Sequence, residues 1–224
     1  MAQSAESRPG SLILVPAVIT LAITLLRLVG ELQNWSPRLF SRAAGGGLAL
    51  VGISWLVPVF GVYFGIKLAR AGVRPSRVFA GIGLTLLAIA LMPLSGFAAR
   101  AAGMNLQDRH VLLVFAVAAL VGVALAWLAW PQLGRTLFLY ALAARVPVAI
   151  LMLVAIYANW GTHYDVAGPG FPAMTPLHKW IWIGLLPQMT IWIWFTTTLG
   201  GLCGIVAGAV AGRGRNVAPG AVAA

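Results

Sequence analysis

Three charged side chains stand where an apolar sequence can hold them only at high cost. Arg27 and Glu31 are four residues apart in the first hydrophobic stretch, a spacing that places them on one helical face. Arg145 lies deep in the fifth, within Ala143-Ala144-Arg145-Val146-Pro147, with no acid near it in sequence. A charge inside a bilayer costs from about 2.5 kcal/mol on insertion scales to more than about 10 kcal/mol in simulations of isolated helices. Groups kept at that cost turn toward the bundle interior or a water-filled cavity. Arg27 and Glu31 can form part of a ligand or ion site, or neutralise each other near the interface with Arg27 reaching outward. Arg145 needs a carboxylate, backbone carbonyls, water or an anionic ligand, unless it snorkels to the inner surface. Glu31 is the intramembrane acid that could serve it, but lies nearer the outer surface by roughly two helical turns. Pro147 frees a carbonyl one turn earlier, a second source of relief. Gln188, inside the last hydrophobic stretch, completes the candidate ligand-binding set of Arg27, Glu31, Arg145 and Gln188.

A second group of reactive residues falls in the connections. Asp108 and His110 share one, and His163, Tyr164 and Asp165 share a long one rich in proline and glycine, from Asn159 through Pro172. His178 sits one turn into the next helix. These six form an outer-face cluster. Mixed histidine and carboxylate ligation of a metal, by His163, Asp165 and His178, is the chemistry they suggest. No pair has the His-Glu-x-x-His spacing of a helical metal site, no histidine lies mid-span for haem, and no Gly-x-Ser-x-Gly elbow is present. No cofactor is expected, and the catalytic residues, if any, are not identified.

The elements that must position these groups are membrane helices. The chain of 224 residues is 61% hydrophobic and 8% charged, with mean hydropathy +0.94, whereas soluble domains run near a quarter charged. Six stretches are long enough to cross about 30 Å of hydrocarbon: Ser11–Gln33, Gly47–Ala69, Val78–Phe97, Val111–Trp130, Thr136–Trp160 and Pro176–Gly212. The last is too long for a straight crossing, and Pro187 is the natural place for a kink. It ends in Gly200, Gly204, Gly208 and Gly212, whose spacing of four makes a groove for close backbone approach. The second stretch has its own small-residue pair, Gly61 and Gly65. Thr196, Thr197 and Thr198 are expected to hydrogen-bond within the helix or between helices. Trp127 and Trp130 at one interface, and Trp35, Trp160, Trp180 and Trp182 at the other, fit an aromatic belt.

The net charge of +11 would suggest nucleic acid in a soluble protein. Here the basic residues sit between the apolar stretches and no nucleic-acid groove is indicated, so the expected partner is the bilayer. With the N-terminus inside, the inner side carries Arg8, Lys67, Arg70, Arg74, Arg77, Arg135, Arg213 and Arg215. The outer side carries Arg38, Arg42, Arg100, Arg109 and Lys179, and eight against five sets the orientation. The expected protein is therefore an all-α, polytopic bundle of six transmembrane helices in a cell (inner) membrane, N-in and C-in. Residues 1–10 and 213–224 form cytoplasmic tails around a domain of residues 11–212.

Three functions fit, in this order. The first is binding or passing a small polar or anionic ligand at the Arg/Glu site under the outer loop, without catalysis. The second is a membrane-embedded enzyme with an outer-face His/Asp site. The third is an accessory subunit, or a homo-oligomer, docking through the glycine face of the last helix.

Overall fold

Proline stands at the start of several helices, at Pro9, Pro131 and Pro176, while Pro16, Pro93 and Pro147 are carried inside unbroken ones. The computed structural model describes residues 9–47, 49–104, 109–169 and 171–213, and among these the regular structure is entirely helical. Helix α1 (Pro9–Leu32) ends at Asn34, which takes a left-handed conformation. Helix α2 (Leu56–Arg70) is short, and an irregular stretch with a single 3₁₀ turn, Ala44–Gly46, leads into it. Helices α3 (Val78–Ala101) and α4 (Arg109–Ala129) form a hairpin. Only Trp130, extended at φ −157°, separates α4 from α5 (Pro131–Ala158), which has proline at its first position and a left-handed Asn159 as its cap.

Among the described residues, five helices are long and apolar enough to cross a membrane: Ser11–Leu32, Val78–Ala101, His110–Ala129, Pro131–Ala158 and Pro176–Gly212. The expected second span is not among them. A helix over Gly47–Ala69 would place Pro58 in its interior, where the ring clashes with the carbonyl of Ser54 and a hydrogen bond is lost. Starting at Leu56 puts Pro58 in the first turn, where the missing N–H costs nothing. Residues 49–55 are accordingly non-helical. Of the expected tails, residues 1–8 and 214–224 lie outside the described residues, and Pro9 and Gly10 already belong to α1.

The last stretch is a compound helix. It begins at α6 (Pro176–Lys179), widens into a π-helical stretch, Trp180–Leu185, and tightens to α7 (Leu186–Met189). After Thr190, at φ −117° and ψ −75°, it continues as α8 (Ile191–Arg213). The π-turns relieve the clash that Pro187 would make with the carbonyl of Ile183.

Helix α8 is the axis of the bundle, touching α2, α3, α4 and α5. Its contact with α2 is backbone to backbone: a Cβ at Gly61 would collide with the carbonyl of Gly200, and one at Gly65 with that of Gly204. On the α5 side, a Cβ at Gly200 would stand 2.9 Å from Leu137, and one at Gly208 2.8 Å from the Trp130 ring. Gly212 faces the side chain of Arg74. The glycine face is thus filled by the chain itself, leaving no open groove there for another protein. Trp130 is buried in this seam at 1% exposure, so it leaves the aromatic belt. Phe60, Phe64 and Tyr140 extend the same core, with edge contacts at 5.4 Å and 5.5 Å between ring centroids.

The pairings also fix directions. Gly61 with Gly200 and Gly65 with Gly204 make α2 and α8 parallel. Thr20 bonds the Tyr140 hydroxyl at 2.8 Å, while Glu31 reaches His163 beyond the end of α5, so α1 and α5 are parallel too. Leu137 against Gly200 and Trp130 against Gly208 make α5 and α8 antiparallel.

Candidate functional site

The first charged pair lies at the end of α1 where the long 159–175 loop closes over the bundle. Arg27 Nε donates to Glu31 Oε1 at 2.9 Å, and Glu31 is fully buried. The guanidinium is held on its other side by the carbonyls of Gly46 at 2.7 Å and Ser41 at 3.3 Å. That grip requires the irregular segment: Gly45, Gly46 and Gly47 all have positive φ, and a Cβ at Gly46 would stand 2.8 Å from the guanidinium. Glu31 also receives the loop. The backbone N–H of His163 donates to Oε2 at 2.9 Å, and the ring Nδ1 lies 2.5 Å from Oε1. Burial holds His163 below the ordinary imidazole range, outweighing the opposing pull of Glu31. The ring is therefore neutral at pH 7, with its proton on the nitrogen facing the carboxylate.

Two more ties fix the roof. Tyr164 donates to the carbonyl of Thr24 at 3.2 Å, and burial pushes its hydroxyl above the usual tyrosine range. Arg42 donates to the carbonyls of Trp160 and Gly161 at 2.9 Å and 2.8 Å. Asp165 staples the loop to itself, accepting from the N–H groups of Gly161 and Thr162 at 2.8 Å and 2.6 Å and from the Thr162 hydroxyl at 2.7 Å.

Arg145 is treated differently. It lies at the middle of α5, 3% exposed, with its guanidinium 4.5 Å above the Trp192 ring. Cation–π attraction holds it there. Its Nε is enclosed without a hydrogen-bond partner, as is Oε1 of Gln188 one turn before Trp192. The expected partners do not serve it. Glu31 is committed to Arg27 and His163, and the carbonyl freed by Pro147 forms no bond to the guanidinium. Arg145 is buried, so it does not snorkel. Asp165, the other described acid, is consumed in its own loop.

Arg27, Arg145, Gln188, His163 and Tyr164 share one cavity of 440 Å³. The irregular segment forms one wall through Gly45, Gly52 and Ile53, and the π-helical stretch forms another through Trp182 and Ile183. His163, Tyr164, Val166, Gly168, Pro169 and Phe171 roof it. Trp180 anchors the π-helical wall by donating from its indole N–H to the carbonyl of Ala149 at 2.8 Å. The charges inside do not cancel: Arg27 is neutralised by Glu31 and His163 is neutral, while Arg145 keeps its full positive charge. What such a cavity can do is take an anion.

The outer-face cluster does not assemble. His163 serves Glu31, Asp165 serves its loop, and His178 and His110 are exposed. Asp108 lies outside the described residues. Among the described residues no group of three or more histidine, cysteine or acidic side chains is placed to hold a metal, which removes the geometric basis for His163, Asp165 and His178 as ligands. Thr196, Thr197 and Thr198 bond back to carbonyls of Trp192, Ile193 and Trp194 at 2.8–2.9 Å, within their own helix. Sequence reasoning missed Trp192, Ser41, Gly46 and Arg42. Only the triple glycine at 45–47 signalled that backbone would wrap a side chain there, and nothing in the sequence announces a platform for Arg145. No family model, curated protein or solved structure matches this chain, so its geometry is the sole guide to function.

Proposed function

We propose that this protein binds or passes a small polar or anionic ligand within the membrane, without catalysis, at a site centred on Arg145 beneath the loop that carries His163 and Tyr164. One observation carries the reading: Arg145, 3% exposed and with its Nε unbonded, lines a 440 Å³ cavity whose other charges are already neutralised. An isolated buried cation is costly, and an anion is the group that would relieve it.

The reading includes six crossings of a cell (inner) membrane with both termini inside. Alternating passes require the second and sixth segments to be parallel, the first and fifth to be parallel, and the fifth and sixth to be opposed. The packing directions described above agree with this. The 15-residue α2 spans only about 22 Å, and residues 49–55 complete the second crossing. Non-helical backbone is tolerated at membrane depth where it lines a cavity, as Gly52 and Ile53 do here.

The test uses the full chain in phosphatidylcholine nanodiscs, titrated with sodium acetate, butyrate, phosphate and chloride while tryptophan fluorescence is followed. Trp192 lies against Arg145, so a bound anion alters its emission. A saturable change with at least one anion, absent in Arg145→Gln, is expected. A saturable change that persists in Arg145→Gln, or none with any anion at up to 50-fold the concentration expected to saturate a site of ~1 mM Kd, overturns it.

A further inference from the structure

Resting on that reading, the dimensions and lining of the cavity narrow the ligand. Liquid water takes about 30 Å³ per molecule, so 440 Å³ is room for roughly fifteen waters. A bare inorganic anion at Arg145 would leave most of that volume to water against apolar walls. Those walls include Ile23, Ile53, Val148, Trp182, Ile183 and Phe171. Binding sites of this size and character enclose organic ligands, with few polar groups to orient them. The single uncompensated charge fixes the ligand's own charge, because a second negative group would have no cation and would be desolvated against hydrocarbon.

The polar points are also layered. Arg145 and Trp192 lie deepest. Gln188 is one turn nearer the loop than Trp192, and its amide donates toward the Met152 sulfur at 3.7 Å, seven residues along α5 from Arg145. Arg27 and His163 lie at the roof. Between the floor and the roof the lining is chiefly apolar.

We infer that the ligand is an organic monoanion with an apolar body of about ten to fifteen heavy atoms, its carboxylate or comparable head on Arg145 and its body lying along Trp182 and Ile183 beneath the loop. The head enters first and passes the roof. The stacked guanidinium presents a planar donor fork suited to a carboxylate.

The experiment compares straight-chain carboxylates of rising length with inorganic phosphate, chloride and the matching α,ω-dicarboxylates. Each is titrated against the full chain in phosphatidylcholine nanodiscs, with Arg145→Gln in identical discs subtracting partition into lipid. The Arg145-dependent affinity should rise about three- to fourfold per methylene until the cavity is full, then fall. Dicarboxylates should bind at least tenfold more weakly than monocarboxylates of equal length. Val148→Phe should move the optimum to a shorter chain. An affinity that is flat with chain length, or phosphate binding as tightly as the best carboxylate, overturns this inference and leaves the anion site itself standing. Loss of the signal when phosphatidylglycerol replaces phosphatidylcholine overturns it in favour of a bilayer lipid. If no anion binds through Arg145, both this inference and the reading beneath it fail.

Discussion

The two ends of helix α8 solve opposite problems. At its C-terminal half, glycine after glycine lets α2 lie against it with backbones touching, and Leu133, Leu137 and Trp130 close the other flank. Nothing larger than a hydrogen fits at Gly65 or Gly204. At its N-terminal end the same helix is preceded by a π-helical stretch and a break at Thr190, and the space beside it is hollow. Helix association in lipid relies on close packing, because apolar surface gains little by leaving lipid tails. The seam supplies that packing. It permits the other half to keep a cavity with a buried cation, which no packing argument would favour.

The same division separates the two arginines. Arg27 has a carboxylate and two carbonyls; Arg145 has an indole face and an enclosed nitrogen without a partner. One is part of the structure and the other is held at the structure's expense. Such a trade is usual at sites kept for function.

Breaking the seam should have the largest effect. Gly65→Leu drives a side chain into the carbonyl of Gly204, and because backbone cannot give way as a side chain can, the loss should be about 3 kcal/mol. Chemical unfolding in detergent measures it, and Leu at neighbouring lipid-facing Val62 serves as the control. A loss at Gly65 no greater than at Val62 would mean that α2 and α8 are not in backbone contact. The hollow should respond with the opposite sign. Arg145→Met removes an unpaired buried charge and keeps a similar stem, so stability should stay level or rise by about 1–2 kcal/mol while anion binding is lost. Destabilisation comparable to that of Gly65→Leu would assign Arg145 to the structure and not to a ligand.

What was legible in the sequence follows the same line. The period-four glycines, Gly61 and Gly65, the helical class and the pairing of Arg27 with Glu31 could all be read from spacing, because packing in a helix repeats with the helix. Five of the six expected spans correspond to helices long and apolar enough to cross a membrane, because hydropathy is a local property. The second span failed because its apolar run concealed Pro58, whose effect depends on where in a helix it falls. Trp130 was misplaced for a related reason: hydropathy gives depth in the membrane and not which way a ring faces. The site was half legible. Cost identified Arg145 as a residue needing an answer, but the answer comes from Trp192, 47 residues away in sequence. The commitment of Glu31 to His163 arises from a loop fold that no pattern encodes. His163, Asp165 and His178 looked like ligands because composition lists them together, whereas hydrogen bonding sends each elsewhere.

The roof offers the smallest and most selective perturbation. His163 is held neutral by burial, so its folded pKa lies below the unfolded value near 6.5. The unfolded chain then binds more protons than the folded one in the window below that value, and stability must fall as pH falls. Sign and window follow directly: full contribution above about pH 6.5, progressive loss beneath it, with a slope bounded by about 1.4 kcal/mol per pH unit for a single proton. Protonation buries an imidazolium beside Arg27, and that desolvation and repulsion outweigh its attraction to Glu31. Unfolding free energies of the wild type and of His163→Gln between pH 7.5 and 5 test this. The glutamine can still donate to Glu31 but cannot titrate, so its curve should be flatter over that range. Matching slopes in the two proteins would show that the roof is not held by a neutral His163, and that the acid response arises in another part of the bundle.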